Sequence, residues 1–350
     1  MPEQQRHKPA LRRREAAERE AMRITGDQLA AVELPAGGLS PSVTVRAVVE
    51  GVGLSVWAAA NLASITSLLA THGAILFRNF ATSGLQDFAP FVRAVSGEPL
   101  EYRERSSPRT HVTDRIYTST EYPSDQPIFL HNENSYAHTW PLRLFFLCVV
   151  PPAQGGETPF ADCRQIYRAI PDTIREQFVK RRVLYVRNFG DQLGLPWQTA
   201  FGTDDRALVE AQLRASGYDF EWVGGNRLRT KRVGPAVARH PRTGEMTWFN
   251  HATFFHVSTL PREMGNALLA EFREEDLPNN TYYGDGGAIE PAVLETLRGC
   301  YLDAKITVPW HAGDVLMLDN VLVAHGREPY SGAREIRVAM SEPCAEDAIQ

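Results

Sequence analysis

A histidine and a glutamate stand two residues apart, directly after the apolar run 128–130 (Ile-Phe-Leu). On an extended strand, residues i and i+2 point to the same face, so His131 and Glu133 could reach one metal ion from one side. A single His-x-Glu arises often by chance. It indicates a metal site only in company with a third ligand, and the alternative reading is a polar strand end.

A third candidate ligand is His325, which we expect on a loop after an apolar strand predicted at Asp314–Leu318. Two imidazoles and one carboxylate form the facial triad of non-haem iron oxygenases, which leaves positions open on Fe(II) for a cosubstrate and dioxygen. Because 192 residues separate Glu133 from His325, the chain must return across a sheet to close such a site.

Two further side chains could bind a carboxylate. Arg334 follows His325 by nine residues, and a guanidinium fork matches a carboxylate bidentately. Thr158, in a Gly-Gly-Glu-Thr sequence, could hydrogen-bond the same group. Taken singly, Arg334 could be a surface arginine and Thr158 an ordinary strand residue. Together with the three candidate ligands, and in this order, the set is specific.

Two long runs resemble the Fe(II)/2-oxoglutarate-dependent dioxygenases: HNENSYAHTWPLRLFFLCVVPPAQGGETPFAD and DNVLVAHGREPYSGAREIRVAM. Within that class the chain looks like the taurine dioxygenase and clavaminate synthase-like superfamily, in the branch of the syringomycin-biosynthesis hydroxylases. The resemblance covers roughly residues 56–340. It is strongest in the two quoted runs.

The resemblance implies a mainly β fold with helical insertions and a double-stranded β-helix (jelly-roll) core. It implies iron ligands at His131, Glu133 and His325, with Fe(II), 2-oxoglutarate and dioxygen as the cofactor and cosubstrates. Arg334 would anchor the distal carboxylate of 2-oxoglutarate, and Thr158 would lie beside it. Because related halogenases carry a small residue in place of Glu133, the carboxylate argues against halogenation.

Some assignments stay open at this level. A shift of three residues would give the role of Arg334 to Arg337, and Arg327 fits a part in shaping the site. Substrate contacts are expected beside the iron motif and on an aromatic segment at 248–251, where a histidine stands in place of an expected glutamine. These candidates are Asn132, Asn134, Ser135, Tyr136, Trp248 and His251.

The elements that must position these residues follow from periodicity and turn residues. Strands are predicted at 74–77, 127–130, 142–150, 183–188 and 336–340. Helices are predicted at 56–71, ending at Gly73, and at 85–96, 163–180, 263–272 and 291–296. This arrangement fits a helix-decorated β-sandwich or barrel better than a doubly wound sheet. No GxGxxG or GxxxxGK[ST] sequence is present, so dinucleotide and P-loop sites lack their signatures.

Composition limits the remaining classes. The chain has 350 residues, a net charge of −5 and 43% hydrophobic residues, and no stretch approaches the ~20 apolar residues that span a bilayer. We therefore expect a cytoplasmic protein that binds neither membranes nor nucleic acid. Four cysteines without framework spacing indicate reduced thiols. Residues 1–25 read as a charged tail, and 26–345 as a single dioxygenase domain.

The predicted activity is hydroxylation of an unactivated C–H bond in a small amino-acid-derived molecule, free or tethered to a carrier protein. Such enzymes belong to specialised-metabolite pathways, including antibiotic biosynthesis. Desaturation, epoxidation and ring closure use the same triad and stay open, as does the oligomeric state, since homo-oligomers are common in the superfamily. Modification of nucleic acid or protein, and a non-catalytic jelly-roll ligand-binding protein, are the other classes considered.

Overall fold

A computed structural model describes residues 29–34, 42–82, 84–102, 104, 106, 109–190 and 194–349. The predicted charged tail at 1–25 lies outside these residues. The largest sheet has eight strands, and its neighbours are antiparallel except for the parallel pair β2–β3. In spatial order the strands are β1 (Ala30–Glu33), β2 (Ser42–Ala47), β3 (Ala74–Arg78), β17 (Val315–Asp319), β7 (Thr139–Val150), β20 (Glu335–Ala345), β5 (Ile116–Thr118) and β4 (His111–Thr113).

A second, four-stranded sheet packs against the first. Its order is β16 (Lys305–Ile306), β9 (Phe160–Asp162), β18 (Val323–Arg327) and β6 (Ile128–His131). The core between the two sheets includes Phe146 of β7, Phe160 of β9 and Val338 of β20. This is the two-sheet arrangement of a jelly roll, and it confirms the predicted fold class.

The central strand β7 shows why its sequence is almost continuously apolar. Successive side chains of a strand point to opposite faces. Phe145 and Leu147 pack on the side of the N-terminal helices, whereas Phe146 and Cys148 face the interior between the sheets. Both faces are therefore covered, and no position in the middle of the strand needs to be polar.

The remaining strands form smaller sheets around the jelly roll. One has four strands in the order β11 (Asp219–Val223), β12 (Arg227–Gly234), β10 (Val183–Phe189) and β15 (Asn279–Tyr283). Two-stranded pairs join β13 (Val237–Arg239) to β14 (Met246–Trp248), and β8 (Gln154–Gly155) to β19 (Tyr330–Ser331). The β10 sheet supports one wall of a large cavity described below.

The α-helices are α1 (Leu54–Ala60), α2 (Leu62–His72), α3 (Leu85–Ser96), α4 (Cys163–Ala169), α5 (Asp172–Arg181), α6 (Trp197–Phe201), α7 (Arg206–Ala215), α8 (Arg262–Glu271) and α9 (Pro291–Asp303). Short 3₁₀ helices occupy Val257–Thr259, Glu274–Asp276 and Glu346–Ile349. In the described part of the chain no single helix is long and apolar enough to cross a membrane. By length and composition alone, the bent pair α1 and α2 could do so together.

Three elements differ from those predicted, and the first difference has a clear local cause. The helix predicted at 56–71 is two helices bent by 88°, because the Asn61 side chain hydrogen-bonds the Trp57 carbonyl at 2.8 Å and its backbone leaves the helical region. Helix α9 continues to Asp303, beyond the predicted 296. The prediction that a loop carries His325 is wrong, because that residue lies in the buried strand β18.

Gly73 ends α2 as predicted. Its φ of 78° lies in the left-handed region, which glycine adopts without strain. A Cβ atom there would lie 2.5 Å from Cγ2 of Val323. The close approach of α2 to β18, the strand of His325, therefore depends on this glycine.

Candidate active site

The two histidines meet because their strands are neighbours. His131 is the last residue of β6, and its Cα is paired with that of His325 in β18. The ring centroids lie 4.5 Å apart. Glu133 lies in a turn two residues beyond the strand end, so the extended geometry used to relate it to His131 does not apply there. The turn nonetheless returns its carboxylate to both imidazoles.

The donor atoms of His131, Glu133 and His325 lie within 4.8 Å of one another. His325 Nε2 is 3.9 Å from Glu133 Oε2. His131 Nδ1 donates to the Phe129 carbonyl at 2.8 Å, which fixes its tautomer and leaves Nε2 as the ligand nitrogen. Two imidazole nitrogens and one carboxylate oxygen suit a divalent iron with open positions.

The protonation states also suit a metal. Burial lowers the pKa of His131 and moves that of His325 well below its usual range, so both rings are neutral near pH 7. Burial by itself would raise the pKa of Glu133, but the Arg109 charge and the hydrogen bonds from Tyr102 and Arg109 contribute to a net lowering. The set therefore offers two neutral nitrogen donors and one anionic oxygen donor.

Two residues that the sequence did not single out hold the Glu133 carboxylate. Tyr102 donates its hydroxyl to Oε1 at 3.0 Å, and Arg109 donates Nη2 to Oε2 at 2.8 Å. The Arg109 guanidinium also lies over the Tyr102 ring, 4.7 Å from its centroid. The segment 101–110 contains three arginines, but it has no spacing that would have identified the one facing a metal ligand.

A third residue, Asn320, connects the two halves of the cluster. Its Oδ1 accepts from the Glu133 backbone N–H at 2.7 Å, and its Nδ2 donates to the Glu133 carbonyl at 2.9 Å. Asn132, predicted as a substrate contact, donates Nδ2 to the Asn320 carbonyl at 2.7 Å and is fully buried. The turn that carries Glu133 is therefore attached to the chain just before β18.

The Gly-Gly-Glu-Thr sequence and Arg334 come together. Arg334 Nε donates to the Gly156 carbonyl at 2.8 Å, and Nη1 donates to Ser119 Oγ at 3.3 Å. A Cβ on Gly156 would lie 3.1 Å from Arg334 Cδ and 2.8 Å from Tyr330 Cβ. Thr158 follows two residues later and is buried, just before the strand β9 that pairs with β18.

The environments of the three C-terminal arginines differ. Burial, together with the nearby Arg327 charge, lowers the pKa of Arg334 to about 10, which is the condition of a buried cation suited to an anionic ligand. Arg327 donates to the backbone carbonyls of Tyr122 at 3.0 Å and Gln126 at 2.8 Å. Arg337 pairs with Glu335. The anchor role of Arg334 stays a prediction.

The other predicted substrate contacts are all buried. Ser135 Oγ and His251 Nδ1 are 2.6 Å apart, and the Tyr136 hydroxyl donates to the Glu104 carbonyl at 2.6 Å. Trp248 is fully buried against Phe178. Burial holds the pKa of His251 well below its usual range, and its ring lies edge-on to His131. Contact of these residues with substrate stays a prediction.

A cavity of about 500 Å³ opens directly on His131 and Glu133, within the size range of small-molecule sites. Its apolar walls include Phe129, Phe254, Phe255, Leu268 and Leu277. The ring of Phe254 stacks on His131 at 4.4 Å with an interplanar angle of 14°. Sequence reasoning noted the aromatic segment at 248–251 but missed this phenylalanine three residues later.

A second cavity has a volume of about 420 Å³. Its lining includes Leu100, Tyr102, Asn134, Trp140 and Met340. Of the predicted substrate residues, Asn134 is the one that lines it. Neither His131 nor His325 belongs to its walls, so the larger cavity is the one connected to the metal-binding geometry.

The sequence matches the family described as taurine catabolism dioxygenase TauD, TfdA family, over residues 37–340. The chain belongs to the TauD/TfdA family. It is 37% identical over 279 residues to the dapdiamide synthesis protein DdaC of Enterobacter agglomerans, covering 80% of this chain and 85% of that protein. It is also 30% identical over 288 residues to a clavaminate synthase-like protein of Arabidopsis thaliana, covering 79% and 83%.

The fold has counterparts among solved structures. The PvcB protein from Pseudomonas aeruginosa superimposes with a TM-score of 0.55 at 16% sequence identity, covering 94% of this chain and 98% of that one. The TauD/TfdA assignment confirms the predicted enzyme class: this protein is a dioxygenase that uses Fe(II), 2-oxoglutarate and dioxygen, and it acts on a small molecule.

Proposed function

We propose that this TauD/TfdA dioxygenase hydroxylates a C–H bond of a small amino-acid-derived molecule in a specialised-metabolite pathway. The proposal depends above all on the cluster of His131, Glu133 and His325 beside the 500 Å³ cavity. A C–H bond held in that cavity would lie next to the proposed ligands. The relationship to a dapdiamide synthesis protein supports an amino-acid-derived substrate and a biosynthetic pathway.

In this proposal the three clustered residues hold Fe(II), which supplies the coupled oxidation of 2-oxoglutarate and substrate. His131 and His325 act as neutral nitrogen ligands, and Glu133 is kept anionic by Arg109 and Tyr102. Phe254 and Phe129 exclude water from the His131 side of the cavity. The chain thus contributes ligand geometry, a dry cavity and substrate position, the usual contributions of a protein to cofactor chemistry.

Arg334 and Thr158 are proposed to bind the distal carboxylate of 2-oxoglutarate. Arg334 donates one hydrogen bond to the Gly156 carbonyl and another to the Ser119 hydroxyl. These bonds hold its guanidinium in place before a ligand binds. On the interior face of β7, the Phe146 ring lies 5.2 Å from the His325 ring. Cys148 is two residues further along the same strand, and the positive charge of Arg334 acts to lower the pKa of its thiol. This interior face would connect the anchor to the metal.

Further parts of the assignment are proposals. The family match at 37–340 supports one dioxygenase domain at 26–345. Delivery of the substrate on a carrier protein, assembly into homo-oligomers and a cytoplasmic location stay predictions.

An anaerobic titration tests the proposed site. Fe(II) and 2-oxoglutarate are added to the purified protein while the visible charge-transfer band of their chelate is followed. We expect a band with the unaltered protein, its loss with His131→Ala, and its weakening at limiting 2-oxoglutarate with Arg334→Ala. Arg337→Ala is the matched control and should leave the titration unchanged. A normal band in folded His131→Ala protein would refute the ligand assignment.

A further inference from the structure

The walls of the large cavity carry information on the substrate beyond its size. Apolar side chains enter from three directions: Phe129 from β6, Phe254 and Phe255 from the segment after β14, and Leu268 from α8. Burying apolar surface contributes about 25 cal/mol per Å². Such walls favour an apolar body and disfavour any charged group that finds no partner.

The inner end of the cavity offers no unpaired negative charge, because Glu133 is the only carboxylate among the described lining residues. Arg109 lines it beside His131 and Glu133. Glu133 accepts hydrogen bonds on both of its oxygens, from Tyr102 and Arg109, and in the proposed function it also binds iron. Its negative charge is therefore already matched by a guanidinium and would be matched further by the metal.

A second histidine in the cavity lining, His256, adds no charge. His256 Nδ1 is 2.8 Å from Ser258 Oγ and accepts from the Ser258 backbone N–H at 3.1 Å. Burial lowers the pKa of His256 to about 4, so its ring is neutral near pH 7. An ammonium group entering this cavity would meet a guanidinium, apolar walls, a neutral ring and neutral polar side chains such as Thr120 and Gln126, with no carboxylate in the described lining other than the already paired Glu133.

We propose that the substrate enters this cavity with an apolar body and with its amine acylated, so that no free ammonium group lies near the metal. This inference rests on the proposed function and narrows its substrate class: a free α-amino acid is excluded, and an amide-capped amino-acid derivative is selected. Aromatic faces attract cations, but one face of Phe254 is already covered by His131.

A matched pair of probes tests the inference. L-Phenylalanine and N-acetyl-L-phenylalanine share a side chain and a carboxylate and differ in the charge at nitrogen. Binding of each is followed anaerobically, as the shift of the charge-transfer band of the Fe(II)–2-oxoglutarate enzyme. We expect the acetylated probe to bind at least about tenfold more tightly, a difference of about 1.4 kcal/mol.

A charge variant gives the reciprocal test. Leu268→Glu places a carboxylate in the α8 wall of the cavity and should reduce or reverse the preference for the acetylated probe. Leu269→Glu is the control, because Leu269 is on the same helix but is 44% exposed and outside the cavity lining. It changes the net charge equally and should keep the original preference.

The outcomes separate the inference from the proposed function. Lack of the Fe(II)–2-oxoglutarate band before any probe is added would contradict the proposed function itself. A normal band with equal or tighter binding of L-phenylalanine would overturn the inference alone. Failure of both probes to shift a normal band would also overturn it, since the cavity would then reject an acylated apolar body.

Discussion

Asn320 forms a reciprocal pair of hydrogen bonds with the backbone of Glu133: its Oδ1 accepts from the Glu133 N–H at 2.7 Å, and its Nδ2 donates to the Glu133 carbonyl at 2.9 Å. The same Nδ2 donates to the Pro141 carbonyl at 2.9 Å. Asn320 lies five residues before His325. One side chain therefore fixes the distance between a ligand on a turn and a ligand on a strand.

Replacing Asn320 with alanine should weaken metal binding and also destabilise the fold. The Glu133 backbone groups would lose their buried partners at a cost of about 1–3 kcal/mol each, and the turn would be free to move. Groups that orient metal ligands typically change affinity 10- to 100-fold. Anaerobic Fe(II) or Mn(II) titration measures the effect, and Asn226→Ala, on a surface turn, is the control. Unchanged affinity would show that the turn is held by other contacts.

Tyr102→Phe should lower metal affinity without altering the cavity. It removes the hydroxyl that donates to Glu133 Oε1 and keeps the ring under Arg109. We expect an affinity loss of about tenfold for Mn(II) by calorimetry, with Tyr167→Phe as the control. A lower melting temperature of the Tyr102→Phe variant, together with normal metal affinity, would instead show that Tyr102 has a purely structural role.

Arg334→Ala should raise the dissociation constant of 2-oxoglutarate at least about 30-fold, corresponding to about 2 kcal/mol for one buried charged hydrogen-bonding partner. The KM for 2-oxoglutarate should rise in parallel. Arg337→Ala, which removes a side chain paired with Glu335, should change neither value by more than about threefold. The opposite ranking would transfer the anchor role to Arg337.

Acid stability should depend on Asp319. Burial by itself would raise its pKa, but the Arg143 charge and the His240 hydrogen bond lower it to about 2. A folded-state pKa below the unfolded value of about 3.9 means that Asp319 stabilises the fold above pH 4. About 2 kcal/mol of stability should be lost as the pH falls from 4 towards 2.

Asp319→Asn tests this assignment. The variant removes the nearer anionic partner of the buried Arg143 and leaves it only Glu342, 3.8 Å away, so denaturation at pH 7 should show a loss of about 3 kcal/mol. Its stability should then fall less steeply than that of the unaltered protein between pH 4 and 2. Asp172→Asn removes an exposed pair with Arg175 and should cost less than about 1 kcal/mol. Equal slopes for the two variants would contradict the role of Asp319.

Much of the fold was predictable because its signals are local. The apolar run in β7, the amphipathic period of α3 and the glycine ending α2 each lie within a few consecutive residues. The three clustered ligands were predictable because the family motifs include them. The placement of His325 in a strand could not be predicted, because β18 is short and its pairing with β6 and β9 involves residues far away in the chain.

The side chains that surround the ligands were harder to predict. Tyr102, Arg109 and Asn320 act on Glu133 through contacts spanning 24 to 187 residues of sequence. No periodicity in a single sequence encodes such contacts. Phe254 is similar, because its residue type is ordinary for a core and only the stack on His131 makes it part of the site. The spacing of residues in the sequence can identify candidate metal ligands, whereas the side chains that hold those ligands in place are determined by tertiary packing.

The pairing of His131 with His325 has a consequence for synthesis of the protein. A ribosome completes β6 long before β18, and the sheet formed by β10, β11, β12 and β15 and several helices are made between them. A nascent chain ending before His325 offers iron at most two of the three ligands, and the Asn320 side chain that fixes the Glu133 turn is also missing until late. The complete three-ligand site can therefore form only after nearly the whole chain has been made.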